Sequence, residues 1–332
     1  MNHHEDYSGL LKALREAPDE SIESISVNRA IHDGRRTIRR RRVLGGAAVV
    51  GLVGVASSVR PLLGTFRDAP VAGPPTYEPL PVWERMFDVG KAGGFQPCSY
   101  LASRRFHLVG LTTMTNGDSG GPNVIVTLYA RGLRSAPAAT IRRLDDVAGR
   151  PAYVLLDHDA GATITWEYAD GAWGTVAVNS GYSDRVQRGH RVAQNIHRRP
   201  VPAPLTVPFT IPRRTVGLSD DVVMVNVPYG YLDRYSSWEI GVAEAEPTDP
   251  DDRYRLPTVA IRRPRPGMTP NTTIAGRRAY DDSGPGVTVF GIGSGYSAQI
   301  TAPGRDEKAI AAGITLIGDP SDPAKGTDEP LR

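Results

Sequence analysis

The residues Gly117-Asp118-Ser119-Gly120-Gly121-Pro122 come nearest, by type and spacing, to reacting machinery in this 332-residue chain. A serine set between an acid and two glycines is placed to attack an acyl group, because glycine amides can approach a developing oxyanion unhindered. Such a serine needs a base, and histidine is the usual one. Upstream the candidate is His107, twelve residues away, inside what reads as the first strand of a hairpin; downstream they are His158 and His190. Asp157-His158-Asp159 has the residue types of a metal site, but neighbours on an extended chain point to opposite faces and rarely share an ion. A turn between two strands accounts for Thr115 to Pro122 without chemistry, with glycines supplying positive φ and Asn116 or Asp118 capping backbone amides. No residue is therefore assigned as catalytic, cofactor-binding or metal-binding, and no cofactor is expected. A serine hydrolase built on Ser119 is the alternative function.

The same six letters resemble the nucleophile motif of trypsin-like serine proteases. That resemblance implies a serine nucleophile, an oxyanion site made by the glycine amides, and a base histidine far upstream with an aspartate between. The chain departs from the pattern. His3, His4 and His32 precede a long apolar run, and the stretch between residue 61 and Ser119 is too short for the first six-stranded barrel.

Other residues fit structural roles. The segment from Pro228 to Trp238 gathers aromatic residues around a loop, which suits core and hairpin packing and, if exposed, a stacking surface. Cys98 is the only cysteine, so no internal disulfide is available and a packed core must carry the stability. The net charge is +3, of which residues 1–42 hold +2 from nine basic and seven acidic groups. The remainder is close to neutral, which argues against a nucleic-acid surface.

The elements that must position these residues begin with a membrane reading. Val43 to Val59 is a run of seventeen residues without a charge, directly behind Arg39-Arg40-Arg41-Arg42. As a helix this run would reach about 25 Å, a little short of the ~30 Å hydrocarbon layer, and 43–60 is the expected transmembrane helix. Seven arginines from Arg29 to Arg42 against Asp33 orient the N-terminus to the cytoplasm and the bulk of the chain outside. The expected placement is thus a cell membrane protein crossing once. A twin-arginine signal cleaved near Val55-Ala56-Ser57 is the competing reading. Residues 1–42 then form a cytoplasmic helical segment open to a cytoplasmic regulator, and 61–82 a Pro-rich linker.

Beyond it, Asn123 to Tyr129, Ala162 to Tyr168 and Asp221 to Val227 alternate in the manner of strands, and Asp170-Gly171 marks a hairpin. Val147-Ala148-Gly149-Arg150-Pro151-Ala152-Tyr153 matches Ile274-Ala275-Gly276-Arg277-Arg278-Ala279-Tyr280. Phe106 to Gly110 is set against Val222 to Asn226, and helices are expected at Val192 to Ile196 and Ile310 to Ile314. The expected class is α+β: N-terminal helices, one transmembrane helix, and two repeated antiparallel β-rich modules, 83–207 and 208–318, each closed by a helix. Residues 319–332, rich in Pro, Asp, Lys and Gly, read as a disordered tail. Ala47 and Gly51 on the apolar run would allow close helix approach.

The repeated strand order resembles exported bacterial modules related to the lipoprotein-carrier fold and to sigma-factor regulators. The membrane-proximal part is similar to single-pass actinobacterial proteins of unassigned function. The cytoplasmic piece lacks the His/Cys cluster of zinc-binding anti-sigma domains, so that role is not implied. The expected function is a membrane-anchored extracytoplasmic binding or sensing protein without catalytic activity. Its ligand would be a small molecule, a wall component or another protein, held between the two modules. Transmembrane signalling through residues 1–42 is a further alternative.

Overall fold

The computed structural model describes residues 77–332 except 114–121, 135–141, 158–160, 218–219, 231–235, 248, 251–254, 282–285, 294, 304 and 321. Alternating β-branched and aromatic side chains give each segment one face to bury, and strands dominate. In order these are β1 (Glu84–Val89), β2 (Phe95–Ser103), β3 (Phe106–Thr113), β4 (Val124–Tyr129), β5 (Arg142–Val147) and β6 (Arg150–Asp157). Then come β7 (Gly161–Ala169), β8 (Ala172–Val178), helix α1 (Arg185–Gln194) and β9 (Ile196–Pro204). The second half holds β10 (Phe209–Thr210), α2 (Arg213–Val216), β11 (Asp221–Pro228), β12 (Ser237–Ala243), β13 (Thr258–Arg262) and β14 (Thr272–Ile274). It continues with β15 (Arg277–Asp281), β16 (Val287–Gly293), β17 (Tyr296–Thr301), α3 (Glu307–Gly313) and β18 (Thr315–Leu316).

Both halves follow one plan. The first strand pairs with the last, β1 with β9 and β10 with β18. Between them the sheet order is β2-β3-β4-β8-β7-β6-β5 in one half and β11-β12-β13-β17-β16-β15-β14 in the other. β2 and β11 then pair antiparallel, with Tyr100 opposite Val227 and Ser103 opposite Met224, and fuse the halves into one fourteen-stranded sheet. Equivalence by topology sets β11 against β2, not against Phe106 to Gly110, which lie in β3.

One face of this sheet carries the main core, in which Val109, Val126, Ile164, Val176, Ile240, Ile261 and Ile300 are fully buried. α1 lies over β7 and β8, and Gly189 lets it come that close: a Cβ there would collide with Ile164 Cδ1. On the opposite face a smaller cluster, Leu101, Phe106, Leu108, Tyr129 and Met224, fills the middle of the sheet.

Several expectations are corrected. The class is mainly β, not α+β with N-terminal and transmembrane helices, and the described residues include three helices. None of them is long and apolar enough to cross a membrane. The longest, α1, has ten residues and so spans about 15 Å, half of a bilayer core. The single-pass membrane placement rested on such a helix and is corrected with it; segment 43–60 lies outside the described residues, as do 1–42, Ser119 and His158. The short helix expected over Val192 to Ile196 is the end of α1, and Ile196 already belongs to β9. The end of the chain is not loose: Thr327 exchanges backbone hydrogen bonds with Val207, and Arg332 with Ile211 and Arg213.

The matching strings contain equivalent turns. Ala148 and Gly149 have φ of 52° and 76°, and Ala275 and Gly276 have 49° and 76°. Each pair is the two-residue loop of a hairpin, Val147 facing Arg150 and Ile274 facing Arg277. Positive φ at both loop positions is the I′ geometry that matches strand twist, and alanine tolerates it poorly. Ala148→Asn and Ala275→Asn should therefore each raise the unfolding free energy by about 0.5–1 kcal/mol. Urea denaturation of the two variants checks this, and an unchanged or lower midpoint would contradict the turn assignment.

Candidate functional site

The repeat predicts a ligand cleft between the two modules. Instead β2 and β11 are hydrogen-bonded neighbours, and the seam is filled. The β1–β9 ribbon crosses the main-core face there, held by tyrosines from both halves. Tyr100 Oη accepts the Met86 N–H at 3.0 Å, and the Tyr229 hydroxyl accepts the Val89 N–H at 3.2 Å. Tyr229 donates to Asp88 at 3.0 Å, and the same carboxylate takes the Arg199 guanidinium at 2.6 Å. Arg85 stacks over the Tyr229 ring at 4.7 Å. β9 carries Pro200, Pro202 and Pro204; Leu205 N–H turns toward Trp83 at 2.8 Å, so Pro204 faces the other way. Proline there removes a donor from a free strand edge.

His107 belongs to this seam. It is fully buried, with Nδ1 2.8 Å from the Tyr100 hydroxyl and Nε2 3.0 Å from the Pro81 carbonyl. A carbonyl only accepts, so Nε2 carries the proton and Nδ1 accepts from Tyr100. Both ring nitrogens are thus occupied in the neutral form, which leaves none for a reacting serine. Burial pushes the imidazole down to about 4, against a weaker upward pull from the Pro81 carbonyl. Burial also raises the Tyr100 and Tyr229 phenols.

The remaining sequence candidates stand apart. His190, on α1, places Nε2 2.9 Å from the Asp145 carbonyl and so pins β5. Cys98 Sγ donates to the Gly110 carbonyl at 3.3 Å. From the aromatic loop, Tyr229 serves the seam and Trp238 is buried edge-on to Tyr296 at 5.8 Å. Among the described residues no group of His, Cys, Asp or Glu is arranged for a metal ion.

Two surfaces remain. A small recess with room for about one water lies in the second half between Val216, Val242, Val259, Ala302, Ile310 and Arg305. Its one cation is committed, since Arg305 grips Asp220 through both guanidinium nitrogens, with Nη2 to Oδ1 at 2.9 Å. The other surface is the open face of the first module. Register aligns Tyr153, Thr165 and Thr175 across β6, β7 and β8, with Leu155, Thr163 and Ala177 in the next row. All six are half-buried and none is charged. Arg143 lies 5.9 Å from the centre of the Tyr153 ring and pairs with Asp146 at 2.7 Å, while Glu167 and Arg150 meet at the far end. Sequence reading missed this face because period two shows that a strand has two faces, not which of them another layer covers.

No protein-family model matches the chain, and no curated protein matches it either.

The His107 geometry generates a pH prediction. Its folded pKa of about 4 lies below the ordinary 6.5, so between those values the unfolded chain binds the extra proton. Stability from this group is present above pH 6.5 and is lost as pH falls toward 4, by about 3 kcal/mol. Unfolding free energies measured across that window should fall for the native chain and fall less steeply for His107→Gln. Parallel slopes in the two proteins would remove His107 as the cause.

Proposed function

We propose that the protein is a non-catalytic binding protein whose working surface is the open sheet face of the first module, and that the ligand is an extended, uncharged glycan strand. The observation that carries this reading is the in-register, uncharged row Tyr153, Thr165 and Thr175, with charges only at its rim. Adjacent strands lie about 4.8 Å apart, so the hydroxyls form a straight ladder of groups that both donate and accept. A tyrosine ring at its end offers a flat apolar surface for the C–H face of a sugar and a polar tip for its hydroxyls. The recess in the second half has room for about one water, far below the size usual for a small-molecule site, which supports an extended ligand over a compact one.

The full-length chain should be retained by insoluble neutral glycans and released by soluble fragments of the same polymer. Tyr153→Ala should weaken retention about tenfold, equivalent to about 1.4 kcal/mol. Thr165→Arg, which puts a charge in the middle of the row, should abolish retention while leaving the melting temperature within a few degrees of the native value. Retention unaffected by both changes, or absent across neutral glycans for the native chain, would reject the assignment.

A further inference from the structure

β5 ends the sheet, and among the described residues it pairs only with β6. Its sequence there is Arg142-Arg143-Leu144-Asp145-Asp146, in which the four charged residues are exposed and Leu144 is half-buried. Read backwards with every charge inverted, this segment reproduces itself. We propose that the chain self-associates by antiparallel addition of β5 to β5 of a second copy, about a twofold axis through Leu144. Arg142 then stands opposite Asp146 of the second copy, Arg143 opposite Asp145, and the reciprocal contacts follow by symmetry.

Charge fixes the orientation. Parallel pairing would set arginine against arginine and aspartate against aspartate, and slipping the register by two also brings like charges together. Protected sheet edges carry charges that repel a second copy; this one carries both signs in the order that admits it. Arg143 now pairs with Asp146 of its own chain at 2.7 Å, with side-chain exposures of 55% and 45%. Exposed pairs of this kind contribute little, so exchanging that partner for one on another chain is nearly neutral. A bulge between Leu144 and Val147 offsets the acidic half, and His190 fixes it through the Asp145 carbonyl. The long arginine side chains can span that offset.

The opposite end of the sheet does not offer the same edge. β14 has three residues, none charged, and Asn271 beside it turns its amide back on Asp281, with contacts of 2.7 and 2.9 Å. Association through β5 alone is self-complementary, so it closes as a dimer and does not propagate into a filament.

Sedimentation of the full-length chain tests this. The native chain should form dimers at low salt, with a dissociation constant that rises about tenfold or more at high salt as the ion pairs are screened. The double variants Arg142→Asp/Arg143→Asp and Asp145→Arg/Asp146→Arg should each remain monomeric at the same concentration, and an equimolar mixture should form a heterodimer. Hydrogen exchange on the native chain gives a second readout without substitution, as β5 amides should gain protection on concentration. A native chain that stays monomeric at low salt with β5 exchange independent of concentration overturns the proposal, and so do folded variants that dimerise alone or fail to combine.

Discussion

The antiparallel ladder between β2 and β11 is the interaction on which the rest of the architecture rests. Its registered pairs run from Met224 and Ser103 to Pro228 and Ser99. Without it there would be two half-sheets, each with a long bare edge beside exposed apolar side chains. With it, Tyr100 and Tyr229 stand side by side on one face, 5.9 Å apart and edge to face. The β1–β9 ribbon can then be fastened by both halves at once. On the other face the same pairing brings Leu101 beside Met224 and starts the second cluster. One set of backbone hydrogen bonds therefore organises both layers.

The seam also shows how a polar cluster can look like a reactive centre and act as a fastener. Tyr100, His107, Asp88, Tyr229 and Arg199 include an acid, a base and two phenols, all close together. The hydroxyls of Tyr100 and Tyr229, His107 Nε2 and the Arg199 guanidinium each meet an acceptor, and the histidine is neutral and sealed from water. Buried polar networks of this kind specify one arrangement strongly when every member is satisfied. The arrangement specified here is the path of the chain from Pro81 through β1, which the side chains of His107, Tyr100 and Tyr229 hold against the sheet.

What could be read from the sequence was local. The strings holding the Ala-Gly pairs match between the halves, and in the structure each pair is the loop of an equivalent hairpin. The alternation in Asn123 to Tyr129 and Ala162 to Tyr168 marks strands because period two puts apolar side chains on one face. Pairing partners were not legible. Setting Phe106 to Gly110 against Val222 to Asn226 selects β3 in place of β2, because Pro97, Cys98 and Ser99 interrupt the apolar pattern of β2. β9 carries no strand signal in the sequence, because its prolines suit an edge and not an interior position. The extent of α1 was hidden by Arg185, Arg188 and His190, whose charged and polar surfaces obscure the buried stripe of Gly189, Val192 and Ala193. The candidate binding face could not be seen at all, because exposure depends on which layer covers which side.

The pairing of each module's first strand with its last bears on how the chain is made. As the polypeptide leaves the ribosome, β1 must wait for seven strands and a helix before β9 emerges, so the early module closes late in its own synthesis. Once closed, it presents β2 as a ready template before β11 has emerged. During that interval the molecule carries an open edge flanked by Leu101 and Tyr100, the kind of edge on which nascent chains stick to one another. The second module, arriving last, covers the hazard that the first one creates.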